Sequence, residues 1–294
     1  MSQVLDGNAV AQAMRHRVQA AVEHLRDEHG FQPRLDAILV GDDEASKVYV
    51  RMKRKDCQEV GIESRLWDLP EDTTQDELIG LVRKLNEDPE CDGILVQLPL
   101  PDHIDEHDVL EATDPSKDAD GFHPINLGRL VADRAGLTPA TPTGILELLD
   151  QYDIDLTGKH AVVIGRSTIV GKPMALLMLQ RGIDATLTVC HSRTENLADV
   201  CRQADVLVAA VGQPRMVQAD WVSEGAIVID VGINRVDGAL VGDVDYETVA
   251  KKASYITPVP GGVGPLTRAQ LLVNVVQAAC ERRGIPVPEG LITP

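Results

Sequence analysis

A tyrosine and a lysine, Tyr49 and Lys53, stand four residues apart in a segment with helical periodicity. Side chains at this spacing lie on one face of a helix, so a phenol and an amine are placed side by side. An amine that loses solvation in a cleft can donate and accept protons near neutral pH. The pair is therefore a candidate acid–base site, although Lys53, Arg54 and Lys55 together are also typical of a solvated basic helix face.

Two other segments offer polar side chains for such a site. Gln97 follows an apolar run and comes shortly before Pro99, which ends strand pairing. Asp120 lies in the segment 117–124, KDADGFHP, which supplies two carboxylates. Each feature alone is also typical of a cap or a turn. Residue types alone therefore leave the roles of Gln97 and Asp120 open.

A glycine-containing turn predicts a dinucleotide site in the second half of the chain. Gly165 ends an apolar strand and makes the tight turn, Ser167 takes the place of the middle glycine of a Rossmann fingerprint, and Gly171 lies near the third. A helix that starts here directs its N-terminal N–H groups at a pyrophosphate. An ordinary strand-to-helix turn is the alternative explanation of the glycines.

The end of the next strand indicates which dinucleotide is bound. NAD enzymes carry an acidic residue there, which accepts a hydrogen bond from the ribose 2′-hydroxyl. This chain instead has Ser192 and Arg193, with Arg166 in the preceding turn, and these donors and charges suit the 2′-phosphate of NADP. A solvated Arg193 is the alternative. Gly212 and Gly232, near two later strand ends, let the backbone approach a flat ligand.

Helical and strand-like segments alternate along most of the chain, which predicts an α/β fold with parallel sheets covered by helices. Six prolines and three glycines interrupt the alternation between residues 99 and 143, which predicts a domain junction or an active-site loop. We expect an α/β catalytic domain at residues 1–138 and a Rossmann-like nucleotide domain at 139–267. A final helix at 268–284 is expected to pack back on the first domain and complete it.

Composition excludes several classes of partner. The 294 residues carry a formal charge of −18, which repels nucleic acid and anionic membranes. Nine lysines stand against nineteen arginines and 46 acidic residues, and this imbalance motivates the hypothesis of a halophilic protein. The five cysteines are dispersed, without a C-x-x-C pair or a histidine cluster, so neither disulfides nor a metal site are expected. The N-terminus has no apolar signal segment, which favours a cytoplasmic protein.

Seven stretches, in this order, resemble the bifunctional methylenetetrahydrofolate dehydrogenase/cyclohydrolase family. They are YVRMKRK (49–55), DGILVQLPLP (92–101), KDADGFHPINLGRL (117–130), ATPTGILELL (140–149), VVIGRSTIVGKPMA (162–175), GAIVIDVGINR (225–235) and YITPVPGGVGPLT (255–267). The resemblance implies an enzyme of one-carbon metabolism that oxidises 5,10-methylenetetrahydrofolate with NADP. It also implies hydrolysis of the methenyl product to 10-formyltetrahydrofolate, a one-carbon donor for purine biosynthesis, by a homodimer.

The resemblance also implies roles for individual residues. Lys53 matches the catalytic lysine, Tyr49 a tyrosine beside the pterin, Gln97 a glutamine that tunes the lysine, and Asp120 an aspartate that holds the pterin ring. The positions implied to contact the cofactor are Gly165, Arg166, Ser167, Ser192 and Ile233, and Arg193 joins the predicted cofactor site because of its charge after the second strand. Those implied to border the folate, besides Tyr49, Gln97 and Asp120, are Val96, Leu98, Pro260, Gly261 and Gly262.

Two competing hypotheses share this layout. One is another two-domain NADP dehydrogenase, of the shikimate or amino-acid kind, and the other is a non-catalytic NADP-binding sensor. The intact set of Lys53, Tyr49, Gln97 and Asp120 argues against the sensor. One position departs from the family: Arg268 stands where a small apolar residue is usual, and we expect its side chain to be solvated rather than to reach the folate tail.

Overall fold

The structure, a computed structural model, describes residues 2–292. The chain forms two compact units. The six-stranded unit contains the residues up to Ala11 together with Thr141–Thr267, and the three-stranded unit contains Gln12–Ala140 together with the residues from Arg268 onward. The predicted α/β class with parallel sheets is confirmed.

The three-stranded unit is built on a parallel sheet with the order β3-β2-β4. Its strands are β2 (Arg34–Val40), β3 (Glu63–Leu69) and β4 (Gly93–Val96). Every residue of β2 and β4 is buried, whereas the edge strand β3 is partly exposed. Fully buried apolar strands are expected where helices cover both faces of a parallel sheet. The helices that contribute to the unit are α1 (Gly7–His29), α2 (Glu44–Val60), α3 (Gln75–Glu87), α4 (Glu106–Ala112) and α5 (Pro124–Val131).

Local sequence signals fix both ends of α2, the helix with the tyrosine–lysine pair. The carboxylate of Asp43 accepts a hydrogen bond from the backbone N–H of Ser46 at 2.7 Å, which caps the N-terminus. Gly61 ends the helix in the left-handed region, with φ of 82°. Because caps fix both ends of the helix, they also fix the direction in which the face with Tyr49 and Lys53 points.

The segment 99–143 is more regular than its prolines and glycines predict. It contains α4 and α5, and it includes the start of α6 (Ala140–Gln151). The helix α4 begins at the capping carboxylate of Asp105, and α5 begins at His123, whose ring nitrogen accepts from the N–H of Ile125. Pro124 stands at the first helical position, where its missing N–H costs nothing.

The six-stranded unit has a parallel sheet with the order β1-β11-β8-β7-β5-β6. Its strands are β1 (Gln3–Val4), β5 (His160–Ile164), β6 (Thr186–Cys190), β7 (Val206–Ala209), β8 (Ile227–Asp230) and β11 (Tyr255–Ile256). A hairpin adds β9 (Asn234–Val236) and β10 (Ala239–Val241). The helices are α6 from its second residue on, α7 (Gly171–Met178), α8 (Leu197–Cys201), α9 (Tyr246–Val249) and the first turn of α10 (Val263–Arg283). The strand order reverses at β5, the point where open α/β sheets bind ligands.

Residues 2–11 lie in the six-stranded unit, which differs from the predicted first domain at 1–138. The cause is main-chain pairing: Gln3 N–H donates to the carbonyl of Ser254 at 2.7 Å, and Leu5 N–H donates to that of Ile256 at 2.9 Å. A strand of two residues is too short to give a sequence pattern. The remaining domain limits stay predictions.

The C-terminal part of α10 is fastened to the three-stranded unit, in agreement with the predicted packing of the last helix. Asp92, fully buried before β4, accepts hydrogen bonds from Arg282 at 3.0 Å and Arg283 at 2.5 Å, and also from the backbone N–H of Arg34 at 3.1 Å. The Asn274 amide donates to the carbonyls of Ala119 and Thr138, at 2.9 Å in both cases.

Replacing Asp92 by alanine should therefore destabilise the three-stranded unit. Two guanidinium groups and one buried N–H lose their acceptor, and we expect a loss of roughly 2–4 kcal/mol in the free energy of unfolding. Urea unfolding of wild type and variant measures it. The matched control is Glu87→Ala, which removes an exposed carboxylate and should change the free energy by less than about 0.5 kcal/mol. Equal stability of Asp92→Ala and Glu87→Ala would contradict this account of the anchor.

Candidate active site

Three of the four predicted catalytic side chains meet in the three-stranded unit. The Lys53 Nζ donates a hydrogen bond to Gln97 Oε1 at 3.3 Å and lies 3.9 Å from Asp120 Oδ1. The side chains of Lys53 and Asp120 are only 10% and 15% exposed. An ammonium group is therefore held, mostly out of water, between an amide oxygen and a carboxylate.

Tyr49, the fourth predicted residue, lies one helical turn before Lys53 and is half-buried. Burial raises the pKa of its phenol, and the positive charge of Arg268 opposes that rise. Tyr49 is therefore a neutral phenol at physiological pH, suited to packing and hydrogen bonding rather than to acting as a base.

The pairing of β4 with β2 places Gln97 beside Lys53. Its backbone N–H extends the β2–β4 pairing by donating to the carbonyl of Ile38 at 2.9 Å. Its side-chain amide donates to the carbonyl of Leu98 at 2.6 Å, so the amide oxygen is the atom left to face Lys53. The orientation of the amide is thus set by its own neighbour. Val96 and Leu98, implied to border the folate, flank this position.

A buried carboxylate that sequence reasoning did not single out holds the turn that carries Asp120. Asp118 accepts hydrogen bonds from the N–H groups of Gly121 at 3.1 Å, Phe122 at 3.2 Å and His123 at 2.8 Å. The amide of Asn126 donates to it as well, at 2.9 Å. The short-range signal for this turn was present in D-x-D-G, because aspartate often accepts N–H groups from the residues that follow it.

The carboxyl group of Asp120 is electrostatically unusual. Burial raises its pKa, the Lys53 ammonium opposes that rise, and the nearby Asp118 carboxylate reinforces it. Lys53 and Asp118, which both help to position Asp120, therefore shift its pKa in opposite directions. A carboxyl with a raised pKa beside a lysine is typical of sites that move protons.

Arg268 is not solvated, so that expectation is wrong. Its guanidinium lies 2.9 Å from the carboxylate of Asp56, and the two side chains are 16% and 8% exposed. Asp56 belongs to the same face of α2 as Tyr49 and Lys53, at i+7 and i+3. The arginine thus neutralises a buried carboxylate one turn from the lysine, which no pattern within α2 alone predicts.

The predicted phosphate turn of the six-stranded unit has no room for side chains at its glycines. Gly165 follows β5 with φ of 124°, and an added Cβ would lie 2.2 Å from the carbonyl oxygen of Ala210. A Cβ at Gly171 would lie 2.3 Å from the carbonyl oxygen of Gly165. The Ser167 hydroxyl accepts from the N–H groups of Val170 at 3.1 Å and Gly171 at 3.3 Å. These contacts bring helix α7 close to the strand end, as a dinucleotide turn requires.

The residues predicted to recognise the 2′-phosphate are exposed and follow neighbouring strands. Arg166 and Ser167 come after β5, and Ser192 and Arg193 come after β6, its direct partner in the sheet. The backbone N–H of Arg193 donates to the His191 ring at 3.2 Å, which fixes the turn and leaves the guanidinium free to meet an anion. Ile233, after β8, is 47% exposed. This set of donors and cations fits a phosphorylated dinucleotide.

The proline–glycine loop implied to border the folate also belongs to the six-stranded unit. Pro260 is exposed, whereas Gly262 is buried, and a Cβ on Gly7 would lie 1.7 Å from the carbonyl oxygen of Gly262. The backbone of this loop is therefore packed directly against the start of α1. The predicted sites divide between the units: Tyr49, Lys53, Gln97 and Asp120 lie in one, and the cofactor positions with Pro260–Gly262 lie in the other.

Comparison with known families covers most of the chain. The family described as tetrahydrofolate dehydrogenase/cyclohydrolase matches in two parts, its catalytic domain at residues 5–120 and its NAD(P)-binding domain at residues 139–283. The bifunctional protein FolD of Salinibacter ruber is 57% identical over 94% of this chain and 95% of its own length.

Solved structures give the same result. The bifunctional dehydrogenase/cyclohydrolase of Campylobacter jejuni superposes with a TM-score of 0.93 at 49% identity, covering 96% of this chain and all of its own. The Trypanosoma brucei enzyme, solved with NADP and an inhibitor, superposes with a TM-score of 0.90 at 40% identity over 95% and 98% of the two chains.

Replacing Gly165 by alanine should disrupt the phosphate turn. The new Cβ meets the Ala210 carbonyl in addition to the penalty of a positive φ, so we expect roughly 2 kcal/mol more destabilisation than φ alone causes, with weaker dinucleotide binding. Gly182→Ala is the matched control, because Gly182 has φ of 95° and nothing within 4 Å of an added Cβ. Thermal unfolding and titration with NADP measure the two effects. Equal behaviour of the two variants would refute the steric argument.

Proposed function

The chain belongs to the tetrahydrofolate dehydrogenase/cyclohydrolase family, and on that premise we propose that it carries both activities of the family's name. It oxidises 5,10-methylenetetrahydrofolate to the 5,10-methenyl form with NADP, and it hydrolyses that product to 10-formyltetrahydrofolate. The single observation that carries the proposal is the buried contact of Lys53 with Gln97 and Asp120. A sensor without catalysis has no need to bury an ammonium group in this way.

The three-stranded unit binds the folate in this proposal. Asp120 accepts hydrogen bonds from the N–H groups of the pterin ring, and the Tyr49 phenol packs beside the ring. The backbone of Val96 and Leu98 borders the ligand at the end of β4. The raised pKa of Asp120 and its contact with Lys53 support a role in which the carboxyl group both binds the pterin ring and influences the reactivity of the lysine.

The six-stranded unit binds NADP, which accepts the hydride. Exposed donors after β5 and β6 support contacts with the phosphates, and Ile233 supports an apolar contact with the flat rings. The hydride leaves a methylene carbon that two nitrogens already activate, so the protein's main task is to hold donor and acceptor in register. Pro260, Gly261 and Gly262, which the resemblance implies as folate-binding positions, also belong to this unit.

Lys53 is the general acid–base of the hydrolysis. Water adds to the methenyl carbon as one of its protons passes to the neutral amine. The amine then returns that proton to N5 as the bond between that carbon and N5 breaks. The remaining hydroxyl proton is released to solvent as the C=O bond of the formyl group on N10 forms. Gln97 orients the amine through the 3.3 Å hydrogen bond, and the Asp120 carboxyl lies 3.9 Å from the amine. Such general acid–base catalysis contributes about 10²–10⁴-fold.

Three finer features are also proposed. The protein is a cytoplasmic homodimer that supplies formyl groups for steps such as those of purine biosynthesis. Dimerisation through the six-stranded unit is supported by its edge strand β6, of which Val189 is 40% exposed, and by Leu179 after α7, which is 54% exposed. Within residues 2–292, no helix is long and apolar enough to cross a membrane.

Lys53→Met should abolish hydrolysis of 5,10-methenyltetrahydrofolate, with a loss of about 100-fold or more, because no other amine replaces the proton shuttle. The affinity for NADP should be unchanged. The matched control is Lys55→Met, which removes an exposed lysine two residues away on α2. Absorbance of the methenyl substrate follows hydrolysis, and fluorescence titration follows NADP. Hydrolysis at the wild-type rate by Lys53→Met would remove the lysine from the mechanism.

The proposed halophily predicts a salt requirement. The net charge of −18 makes the carboxylates of the folded protein repel one another, which opposes folding. Salt screens this repulsion, because the Debye length falls from about 10 Å at 0.1 M to about 3 Å at 1 M. The unfolding temperature should therefore rise steeply with KCl and should not rise equally with sucrose at matched osmolality. An unfolding temperature that is independent of KCl would rule out halophily while leaving the enzymatic proposal intact.

A further inference from the structure

A fully buried carboxylate lies at the ends of two neighbouring strands of the six-stranded sheet. Asp243 accepts hydrogen bonds from the N–H groups of Val211 at 2.6 Å, Gly212 at 2.9 Å and Gln213 at 2.9 Å, which form the turn after β7. It also accepts from the side-chain amide of Asn234, at 2.9 Å, at the start of β9. One side chain thus joins the segments that leave β7 and β8.

A second buried carboxylate holds the first. Asp230, the last residue of β8, accepts from the N–H groups of Gly232, Asp243 and Val244, each at 2.9 Å. Its own N–H donates to the hydroxyl of Thr257 at 2.7 Å, immediately after β11. The network therefore extends over the ends of three adjacent strands.

Glycines let the two carboxylates pack on bare backbone. A Cβ added at Gly232 would lie 2.3 Å from the Cγ of Asp243, and one added at Gly242 would lie 1.8 Å from an oxygen of Asp230. The segments 230–234 and 242–244 therefore interlock, each placing a glycine under the carboxylate of the other. A side chain at either glycine would displace the carboxylate that packs on it.

The arrangement is costly, which indicates that it does more than close a loop. Burying carboxylates is unfavourable unless hydrogen bonds compensate for lost hydration, and burial raises the pKa of Asp230 to about 6 despite three N–H donors. A fully satisfied polar network of this kind fixes a single geometry.

What the network fixes is an exposed surface. Ile233 is 47% exposed, yet it stands between Gly232, which packs on Asp243, and Asn234, which donates to Asp243. The exposed Gly212 is held by the same carboxylate. Gly212 follows β7 and Ile233 follows β8, and the strand order of this sheet reverses at β5. Ligands of such sheets bind outside the carboxyl ends of the strands, near the point of reversal.

We propose that Asp243 is the positioning residue for the nicotinamide dinucleotide, which holds Gly212 and Ile233 in the geometry that the bound cofactor contacts. The inference rests on the proposed function, in which this unit binds NADP. Asp243 does not itself contact the cofactor in this account, because it is buried and its oxygens already have four donors.

The test is the Asp243→Asn variant of the full-length enzyme. The amide keeps the shape of the carboxylate but has only one oxygen for four donors, so the two segments should lose their common anchor. We expect the KM for NADP to rise about tenfold or more. Hydrolysis of 5,10-methenyltetrahydrofolate, supplied directly, should stay at the wild-type rate. Asp220→Asn, at an exposed carboxylate of the same unit, is the control for the loss of charge and should change neither value.

A milder variant guards against simple unfolding. Asn234→Ala removes one donor and leaves both carboxylates in place, so it should raise the KM for NADP in the same direction by about threefold. Combined with Asp243→Asn, it should add less than threefold, because both changes disconnect the same segment.

The outcomes separate the inference from the function on which it rests. An unchanged KM for NADP in both variants would overturn the positioning role, as would a parallel fall of both activities that follows the fraction of folded protein. Wild-type enzyme that hydrolyses the methenyl substrate but reduces neither NADP nor NAD would instead overturn the proposed function. A selective rise in the KM for NADP supports the proposal.

Discussion

An ammonium group taken out of water needs an acceptor or an opposite charge within a few ångströms, and in the three-stranded unit that requirement falls on Lys53. Gln97 and Asp120 meet it at 3.3 and 3.9 Å. Each partner is itself held in place. The pairing of β4 with β2 positions Gln97, and the hydrogen bonds that Asp118 accepts fix the turn that carries Asp120. The caps of α2 then keep the lysine in phase. Together these contacts hold the Lys53 amine in one position out of water.

The same device appears in both units. Asp118 accepts from three consecutive N–H groups, and Asp243 accepts from three consecutive N–H groups in the other sheet. In each case a buried carboxylate organises a turn next to a predicted ligand contact, Asp120 in one and Gly212 in the other. The acidic residues of this chain therefore have two physical functions. Most make the surface negative, and a few are buried and hold turns in place by accepting hydrogen bonds from their backbone N–H groups.

Patterns within single segments predict the fold class and the position of the nucleotide turn. The alternation of helical and strand-like segments predicts parallel sheets covered by helices, and both main sheets are parallel. The nucleotide turn at Gly165 was visible because it is a strand, a glycine and a helix in sequence. Family and activity, including NADP as cofactor, are confirmed by the relatives. The roles of individual residues stay predictions.

The packing of the last helix on the first domain was predictable, but the residue pairs that join distant segments were not. The pairing of β1 with β11 spans the whole chain and needs only two residues. The Arg268–Asp56 pair joins α10 to α2, and the interlock of Asp230 with Asp243 depends on two glycines whose neighbours are set by the sheet. Helices α4 and α5 were hidden because prolines and glycines usually break helices, whereas here Pro124 begins one.

The most direct test of the central claim, that one protein performs both reactions, is a two-wavelength time course on the purified wild-type enzyme. The reaction starts from 5,10-methylenetetrahydrofolate and NADP, and reduced cofactor and methenyltetrahydrofolate are recorded separately. We predict that reduced cofactor accumulates while the methenyl signal stays low, because the product is hydrolysed as it forms. Methenyltetrahydrofolate that accumulates in step with reduced cofactor, at no more than its uncatalysed rate of decay, would contradict the account.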